Sequence, residues 1–441
     1  MKIIFAFTLL VLPLSIAIAQ AEEPLTLSLQ EAQEYAAQHN YEMLDKQQEF
    51  LKARKTILET ASRGLPQISA TWDYQWQPQV PEQPIDIGGQ IQTVAFGVAQ
   101  TNRATLRANQ LILDASYFVA LQATKVVKKT VELELESTEL EVKKNVAQSY
   151  YGVLVSQELE QLLTANLVTL QKQLKDTRAL YENGFVEEQD ADQLEILVNN
   201  LQINLDNARR QIVLAKRLLK LNLGIDQAQD IELSTAIEEA ILPEETAQNL
   251  AQQNFNYQEH IDYRAVLSQE QGAQLQVKNQ TMTYLPTING FAQAQRSNFQ
   301  ENFSDVFNFD QRWIHSSAIG VSINWDLFTG LRRNALRQKA ILDLERVEIA
   351  KKATQNQLIV GYEEARSNYT FALKRYQNQK RSMELSKSIL DKTRVKYQEG
   401  ISSSLELTQT ENQHLEAQQN YINALQQLLN AREELTNALG K

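Results

Sequence analysis

The 441-residue chain repeats itself at a fixed interval. Asn40-Tyr41-Glu42 returns as Asn256-Tyr257-Gln258, and Thr177-Arg178-x-x-Tyr181-x-x-Gly184 returns as Thr393-Arg394-x-x-Tyr397-x-x-Gly400. Leu223-Gly224 returns as Leu439-Gly440, and every one of these offsets is 216. Between Thr177 and Gly224 the two copies align without a gap, with about 15 identities in 48 positions. A chain assembled twice from one unit folds as two versions of one supersecondary pattern. This duplication sets boundaries of 20–225 for the first repeat and 226–441 for the second, joined near Asp226 to Pro243.

Each copy reads in the same order. A helix comes first; in copy one it opens on Ser28-x-x-Glu31, a capping-box signal, and ends before Leu65-Pro66, because the residue before proline avoids the α region. A β-hairpin follows, over about 67–112 in copy one and 287–328 in copy two. Ile68, Ala70, Trp72, Tyr74 and Trp76 alternate with polar residues at the period of two that marks a strand. Gln77 to Gln92, with three prolines and Gly88-Gly89, reads as a loop. A second strand is expected from Thr93 through Asn109 in unbroken phase. In copy two, Ile319, Val321, Ile323, Trp325 and Leu327 alternate with Gly320, Ser322, Asn324 and Asp326. The rest of each copy is a long α-hairpin. Leu163, Leu167, Leu170, Leu174, Thr177, Tyr181 and Gly184 are spaced alternately by four and three, and Ala417, Tyr421, Ala424, Leu428, Ala431, Leu435 and Ala438 do the same, which is heptad spacing. Lys125 to Gly184 is about 60 residues without proline, about 90 Å if helical. The hairpin tips fall near 184 and 400.

Composition excludes several classes. There is no cysteine, so no disulfide framework, no Cys-ligated metal and no lipidated N-terminal Cys. Lys+Arg 43 against Asp+Glu 54 gives a net charge of −11, which is wrong for a nucleic-acid binder. Gly 14 and Pro 8 are scarce, in keeping with long uninterrupted elements. His39, His260, His315 and His414 are scattered without metal-ligand spacing, and no nucleophile elbow, phosphate loop or dinucleotide fingerprint occurs, so neither an enzyme nor a cofactor is expected. Met1-Lys2, the apolar run Ile3 to Ile18 and Ala17-Ile18-Ala19 have the layout of a signal peptide over 1–19. No later segment is an apolar 18-mer, which says nothing of a β-barrel.

Four long strands rich in Trp and Tyr suit the outer membrane, but four cannot close a barrel, and lipid does not tolerate an open sheet edge. If they span lipid, several chains must pool them. A secreted coiled-coil scaffold without a pore is the rival reading.

The duplicated order, the Leu-Pro before each first strand, Leu327-Phe328-Thr329-Gly330 between strand and helix, the Tyr-x-x-Gly at each tip and the Leu-Gly closing each copy together resemble the TolC family of outer-membrane efflux proteins. The resemblance runs from Leu25 to Gly440. It implies a mostly α chain with membrane β-strands: a homotrimer with a 12-stranded outer-membrane β-barrel, continued by a long periplasmic α-helical barrel. It implies a periplasmic adaptor (membrane fusion) protein and an inner-membrane pump, proton-driven or ABC, as partners in tripartite efflux or type I secretion. It also implies a periplasmic gate. Asp190 matches the family's gate Asp, Tyr397 the gate Tyr and Glu406 the first of two further acids, while Gln409 takes the second acid position and Ser402 that of the gate Arg. The Tyr–Asp hydrogen bond is thus expected to be kept and the Arg ion pair lost. Asp190 and Glu406 also match each other at the 216 offset, and with Glu187, Glu188 and Asp192 beside them they would make an electronegative entrance. Gly184-Phe185 and Gly400-Ile401 are the expected adaptor-docking tips.

Overall fold

A computed structural model describes residues 24–440, apart from positions 96, 306, 307, 309 and 311. The expected signal segment lies outside the described residues. In chain order the elements are β1 (Leu25–Leu27), α1 (Leu29–His39), α2 (Tyr41–Ser62), β2 (Gln67–Trp76), β3 (Glu82–Ile87), β4 (Gln90–Ala95), β5 (Gln100–Leu113), α3 (Ala115–Glu182) and α4 (Glu188–Leu223). Then follow β6 (Ile231–Leu233), α5 (Ile237–Ala240), α6 (Glu244–Ala251), α7 (Ile261–Met282), β7 (Thr287–Gln300), β8 (Ile314–Asn324), α8 (Arg332–Gln398) and α9 (Ser404–Ala438). Helix dominates, and α3 and α8 run for 68 and 67 residues.

The chain divides into two compact units that do not coincide with the two sequence copies. One gathers residues 24–41, 142–252 and 368–434, the other 42–141, 253–367 and 435–440, so each takes pieces of both copies.

The first unit is a packed helical assembly. Leu163, Leu167 and Leu170 of α3 meet Leu194, Leu197, Leu201, Leu205 and Ala208 of α4 along the four-three seam. Each buried leucine contributes about 2 kcal/mol of apolar transfer. In copy two, Leu390 of α8 and Ala424, Leu428 and Ala431 of α9 are buried by the same spacing. Small residues alternating with large ones let the limbs approach closely. Strands β1 and β6 form a parallel pair, and the Tyr150 hydroxyl ties them to α3 by donating to the Leu27 carbonyl at 2.9 Å.

The second unit holds a four-stranded antiparallel sheet in the order β2-β5-β7-β8. Residues directly opposite one another share a face, so the register sorts the side chains. One face carries Ile68, Leu106, Ala292 and Ile319; the other carries Gln67, Thr71, Thr105, Gln295 and Ser316. Both outer strands stand free: Ile68 is 72% and Ile319 89% exposed. Gly320 lies against the Phe291 ring, whose edge would have to shift to admit a Cβ there.

Four readings need correction. Gln77–Gln92 is not all loop, because β3 and β4 pair antiparallel across Gly88-Gly89, whose φ values are +70° and +90°. The second strand of copy one is not continuous: β4 ends at Ala95 in that ribbon and β5 starts afresh at Gln100 in the larger sheet. The opening helix is two helices, since Asn40 breaks it with extended backbone and its side-chain amide donates to the Asn222 carbonyl at 2.7 Å. The strand expected to reach Phe328 ends at Asn324.

The capping box at Ser28 is formed: the Ser28 N–H donates to Glu31 at 2.8 Å and the Glu31 N–H to the Ser28 hydroxyl at 3.3 Å. Gly224 ends α4 at φ +75°, and a Cβ there would strike the His39 carbonyl. Gly224→Ala therefore combines a left-handed backbone with a backbone clash. It should destabilise the fold by about 2 kcal/mol or more, seen as a lowered thermal midpoint; an unchanged midpoint would contradict the packing described.

Candidate gate at the helical tips

The two α-hairpins reverse by the same device. At the first tip Gly184 adopts φ +79°, its N–H donates to the Tyr181 carbonyl at 2.8 Å, and the Phe185 N–H donates to Leu180 at 2.9 Å. At the second, Gly400 adopts φ +72° and the Ile401 N–H donates to Lys396 at 2.8 Å. This is the glycine-terminated helix cap that needs a left-handed residue. It leaves the following apolar side chain uncovered: Phe185 is 77% and Ile401 76% exposed.

Asp190 and Glu406 both occupy the third position of the return helix. There an acid faces free backbone N–H groups and the positive end of the helix dipole. Asp190 accepts the Glu187 N–H at 3.2 Å, and the Glu406 N–H donates to the Ser403 hydroxyl at 3.2 Å. The two acids differ in their further partners. Asp190 accepts a hydrogen bond from the Ser404 hydroxyl across the two hairpins. Glu406 accepts one from the Ser402 hydroxyl at 2.7 Å within its own helix turn. The Tyr397 hydroxyl lies 3.4 Å from that of Thr177. Asp190, Tyr397, Ser402, Ser404, Arg394 and Phe185 line one cavity of about 750 Å³ between the tips.

A profile of the outer membrane efflux protein family matches residues 33–224 and again 257–441. The chain belongs to that family. The double match follows the sequence duplication, and the family is one of outer-membrane transport proteins without enzymatic chemistry. No curated protein matches the chain. Among solved structures it is similar in fold to the outer membrane protein VceC from Vibrio cholerae, with TM-score 0.71, 16% identity, and 93% of this chain and 96% of that one covered. The Campylobacter jejuni CmeC outer membrane channel gives TM-score 0.72, 15% identity and coverage of 93% and 85%. The Neisseria gonorrhoeae MtrE outer membrane channel in its open state gives 0.71, 16%, 93% and 88%.

Within this member of the efflux family, the expected site residues come together with changed pairings. The Tyr397–Asp190 hydrogen bond is not made within the chain: Tyr397 pairs with Thr177 and Asp190 with Ser404. Ser402, where the resemblance implies an Arg, donates to Glu406 rather than to Asp190. Glu187 is the cap residue of α4, with Glu188 in its first turn.

Sequence reasoning passed over a charged pair that the repeat itself encodes. Arg178 pairs with Glu195 across the first hairpin, and Arg394 pairs with Glu411 at 2.8 Å across the second. Arg178 and Arg394 sit in the repeated motif, and Glu195 and Glu411 are again 216 apart, so the offset was a usable signal. The copies differ in environment. The first pair is exposed, whereas the Glu411 side chain is only 3% exposed and that of Arg394 22%. Burial pushes the Glu411 carboxyl above its ordinary range, and the Arg394 guanidinium partly offsets that. Next to it His414, buried, shares a hydrogen bond with the Ser386 hydroxyl at 2.9 Å. Burial first, then Arg394 and Lys387, hold its imidazole below its ordinary value. Of the other histidines, His260 caps α7, accepting the Asp262 N–H at 3.3 Å.

Removing Arg394 would leave Glu411 buried without its counter-ion. Arg394→Ala should cost about 3 kcal/mol at neutral pH. A carboxyl with a raised folded pKa binds its proton more tightly in the folded state than in the unfolded one. Stability is then lost as pH rises through the carboxylate range, so the variant's deficit against wild type should be larger at pH 8 than at pH 5. Thermal midpoints of both proteins at the two pH values check this; a deficit independent of pH would exclude an uncompensated Glu411. Adding Glu411→Gln should recover most of the loss.

Proposed function

We propose that the protein is the outer-membrane channel of a three-part exporter, a passive conduit for solutes or proteins delivered by an inner-membrane pump. Three copies would pool their four-stranded sheets into a 12-stranded barrel, and their α-hairpins would continue it as a periplasmic tube. The observation that carries this reading is the sheet β2-β5-β7-β8. It has one apolar and one polar face, and two outer strands left unpaired among the described residues, as a segment of a shared barrel requires. Membership of the efflux family and the fold shared with outer-membrane channels support the same reading.

On this reading the tips are the periplasmic entrance. Asp190 and Glu406 from each chain, repeated about the axis, would make a ring of carboxylates that favours cations and resists anions. The hydroxyl contacts Ser404–Asp190 and Thr177–Tyr397 would hold the two hairpins together in the closed state. Phe185 and Ile401, apolar and exposed, are suited to insertion between adaptor helices.

Purified protein should fractionate with outer membranes and migrate as a heat-sensitive oligomer on gels; recovery as a soluble periplasmic monomer would favour a coiled-coil scaffold without a pore. In planar bilayers Asp190→Ala combined with Tyr397→Phe should raise resting single-channel conductance several-fold, since two hydrogen bonds of about 1 kcal/mol each are lost. Unchanged conductance would remove these residues from the gate. Phe185→Asp with Ile401→Asp, leaving both glycines in place, should weaken adaptor co-purification by about tenfold or more; undiminished capture would place docking elsewhere.

A further inference from the structure

The charges of the four-stranded sheet are not evenly shared between its faces. Asp73, Arg103 and Arg107 stand on the polar face. On the apolar face the register places Ile68, Ala70, Trp72, Tyr74 and Trp76 of β2, and Ala104, Leu106 and Ala108 of β5. It adds Ala292, Ala294 and Arg296 of β7, and His315, Ser317, Ile319, Val321 and Ile323 of β8, while beyond the Arg296 row the same face turns polar with Asn102, Asn298, Gln100 and Gln300. Arg296 is the one acid or base of fixed charge on this face among the described residues. It lies directly opposite His315, with Ala104 and then Trp72 in the same cross-strand row. Arg296 and His315 are both exposed, and Arg296 has no ion-pair or hydrogen-bond partner among the described residues.

An unpaired guanidinium on an apolar, lipid-facing surface is costly unless it reaches the interface or an anion. Its height can be estimated along β8. Trp325 stands just past the end of the strand at Asn324 and marks one limit, where its indole N–H donates to the Tyr284 carbonyl at 3.1 Å. Ten residues separate it from His315, about 34 Å along the strand. At a tilt of about 45° this is about 24 Å of height, against an apolar band about 25 Å tall. The Arg296–His315 pair therefore stands at the far boundary of the band from the helices, in the outer leaflet, at the level of Trp72. Beneath it the sheet is hollowed. Between the Ala70–Leu106–Ala294–Ser317 row and the Trp72–Ala104–Arg296–His315 row lies a trough of about 680 Å³, which the intervening residues Thr71, Thr105, Gln295 and Ser316 also line. A mostly apolar trough ending at a cation is complementary to an acyl chain joined to a phosphate.

We infer that this trough is a binding site for an outer-leaflet lipid with a phosphorylated headgroup, its acyl chain lying over the alanines and its phosphate held by Arg296 with His315 beside it. The inference rests on the membrane-barrel reading given above.

The test uses the full-length protein purified in detergent and native mass spectrometry. The probes are lipid A, lipid A stripped of its phosphates, and inorganic phosphate. Wild type should retain lipid A, and Arg296→Gln should retain it about tenfold less well, the loss of one charge-assisted contact. Arg103→Gln, on the opposite face, should retain it as wild type does. The dephosphorylated lipid should bind wild type no better than lipid A binds Arg296→Gln, and millimolar inorganic phosphate should not displace lipid A. Equal retention by Arg296→Gln, equal binding of the dephosphorylated lipid, displacement by inorganic phosphate, or loss through Arg103→Gln would each overturn the site. Because Arg296 is exposed, its replacement disturbs no packing, and heat-sensitive oligomers of the variant verify that it assembles. If wild type itself fails to enter lipid vesicles, the membrane reading fails rather than this site alone.

Discussion

An extended strand at the edge of a sheet leaves alternate N–H and C=O groups without partners. In water such an edge is tolerated and is usually guarded by lysine, proline or a bulge. In hydrocarbon each unsatisfied group costs several kcal/mol. Strands β2 and β8 are the outer strands of the main sheet, ten and eleven residues long, and neither is guarded. Apart from the Tyr74 phenol, Asp73 and His315 are their only ionisable side chains, and neither strand contains proline. One face of the sheet is apolar from Ile68 across to Ile319. Such a sheet is poorly suited to water and incomplete in lipid, and its completion by further copies of itself satisfies both demands. On that reading the duplication is economical of sequence: two strands and one α-hairpin per repeat, used twice per chain, supply every strand of the barrel with a helical limb.

Duplication also lets the copies specialise. The tips share their glycine turn, their acid at the third position of the return helix and their Arg–Glu pair. They differ inside. Where copy one places Leu170 and Val198, copy two places Ser386 and His414. Where copy one exposes Arg178–Glu195, copy two buries Arg394–Glu411. The second hairpin thus has a polar, partly ionised interior at the level where the first is hydrocarbon. Its packing is sensitive to proton concentration from both sides. Glu411 resists ionisation, while His414 resists protonation, so stability contributed by a neutral His414 is lost on acidification through the ordinary imidazole range.

The parts legible in the sequence were those set by periodicity. Heptad spacing located the buried seam from Leu163 to Leu170 because burial in a paired helix depends on little else. The capping box at Ser28 and the tip glycines were legible because their chemistry is local. Errors arose where one local signal has two meanings. Prolines and Gly88-Gly89 read as loop punctuation, yet two glycines at positive φ also make the tight turn of a hairpin. Pro84 is tolerated because a two-stranded ribbon consists only of edges. The break at Asn40 is tertiary: the side chain that caps it reaches Asn222, 182 residues away, and no window of local sequence contains both partners. The pairing of Tyr397 with Thr177 rather than Asp190 is similarly fixed by side-chain reach across the tips.

On the proposed reading, Ser402 stands where the resemblance implies a gate Arg, and that changes what kind of force holds the tips. An arginine–carboxylate pair acts through charge over several ångströms and is weakened by salt when exposed. Here Asp190 is held by the Ser404 hydroxyl and by the Glu187 N–H, and Glu406 by Ser402, all at hydrogen-bond contact. Such bonds depend on alignment and break within about an ångström of displacement. A closed state held this way is insensitive to ionic strength but sensitive to small rotations of one hairpin against the other. On the proposed reading, the force that opens the entrance is then mechanical, a partner wedged at Phe185 and Ile401, rather than electrostatic. As the hairpins part, Asp190 loses its Ser404 partner while Glu406 keeps Ser402 on its own hairpin, so Asp190 becomes available to a passing cation only once the channel has opened.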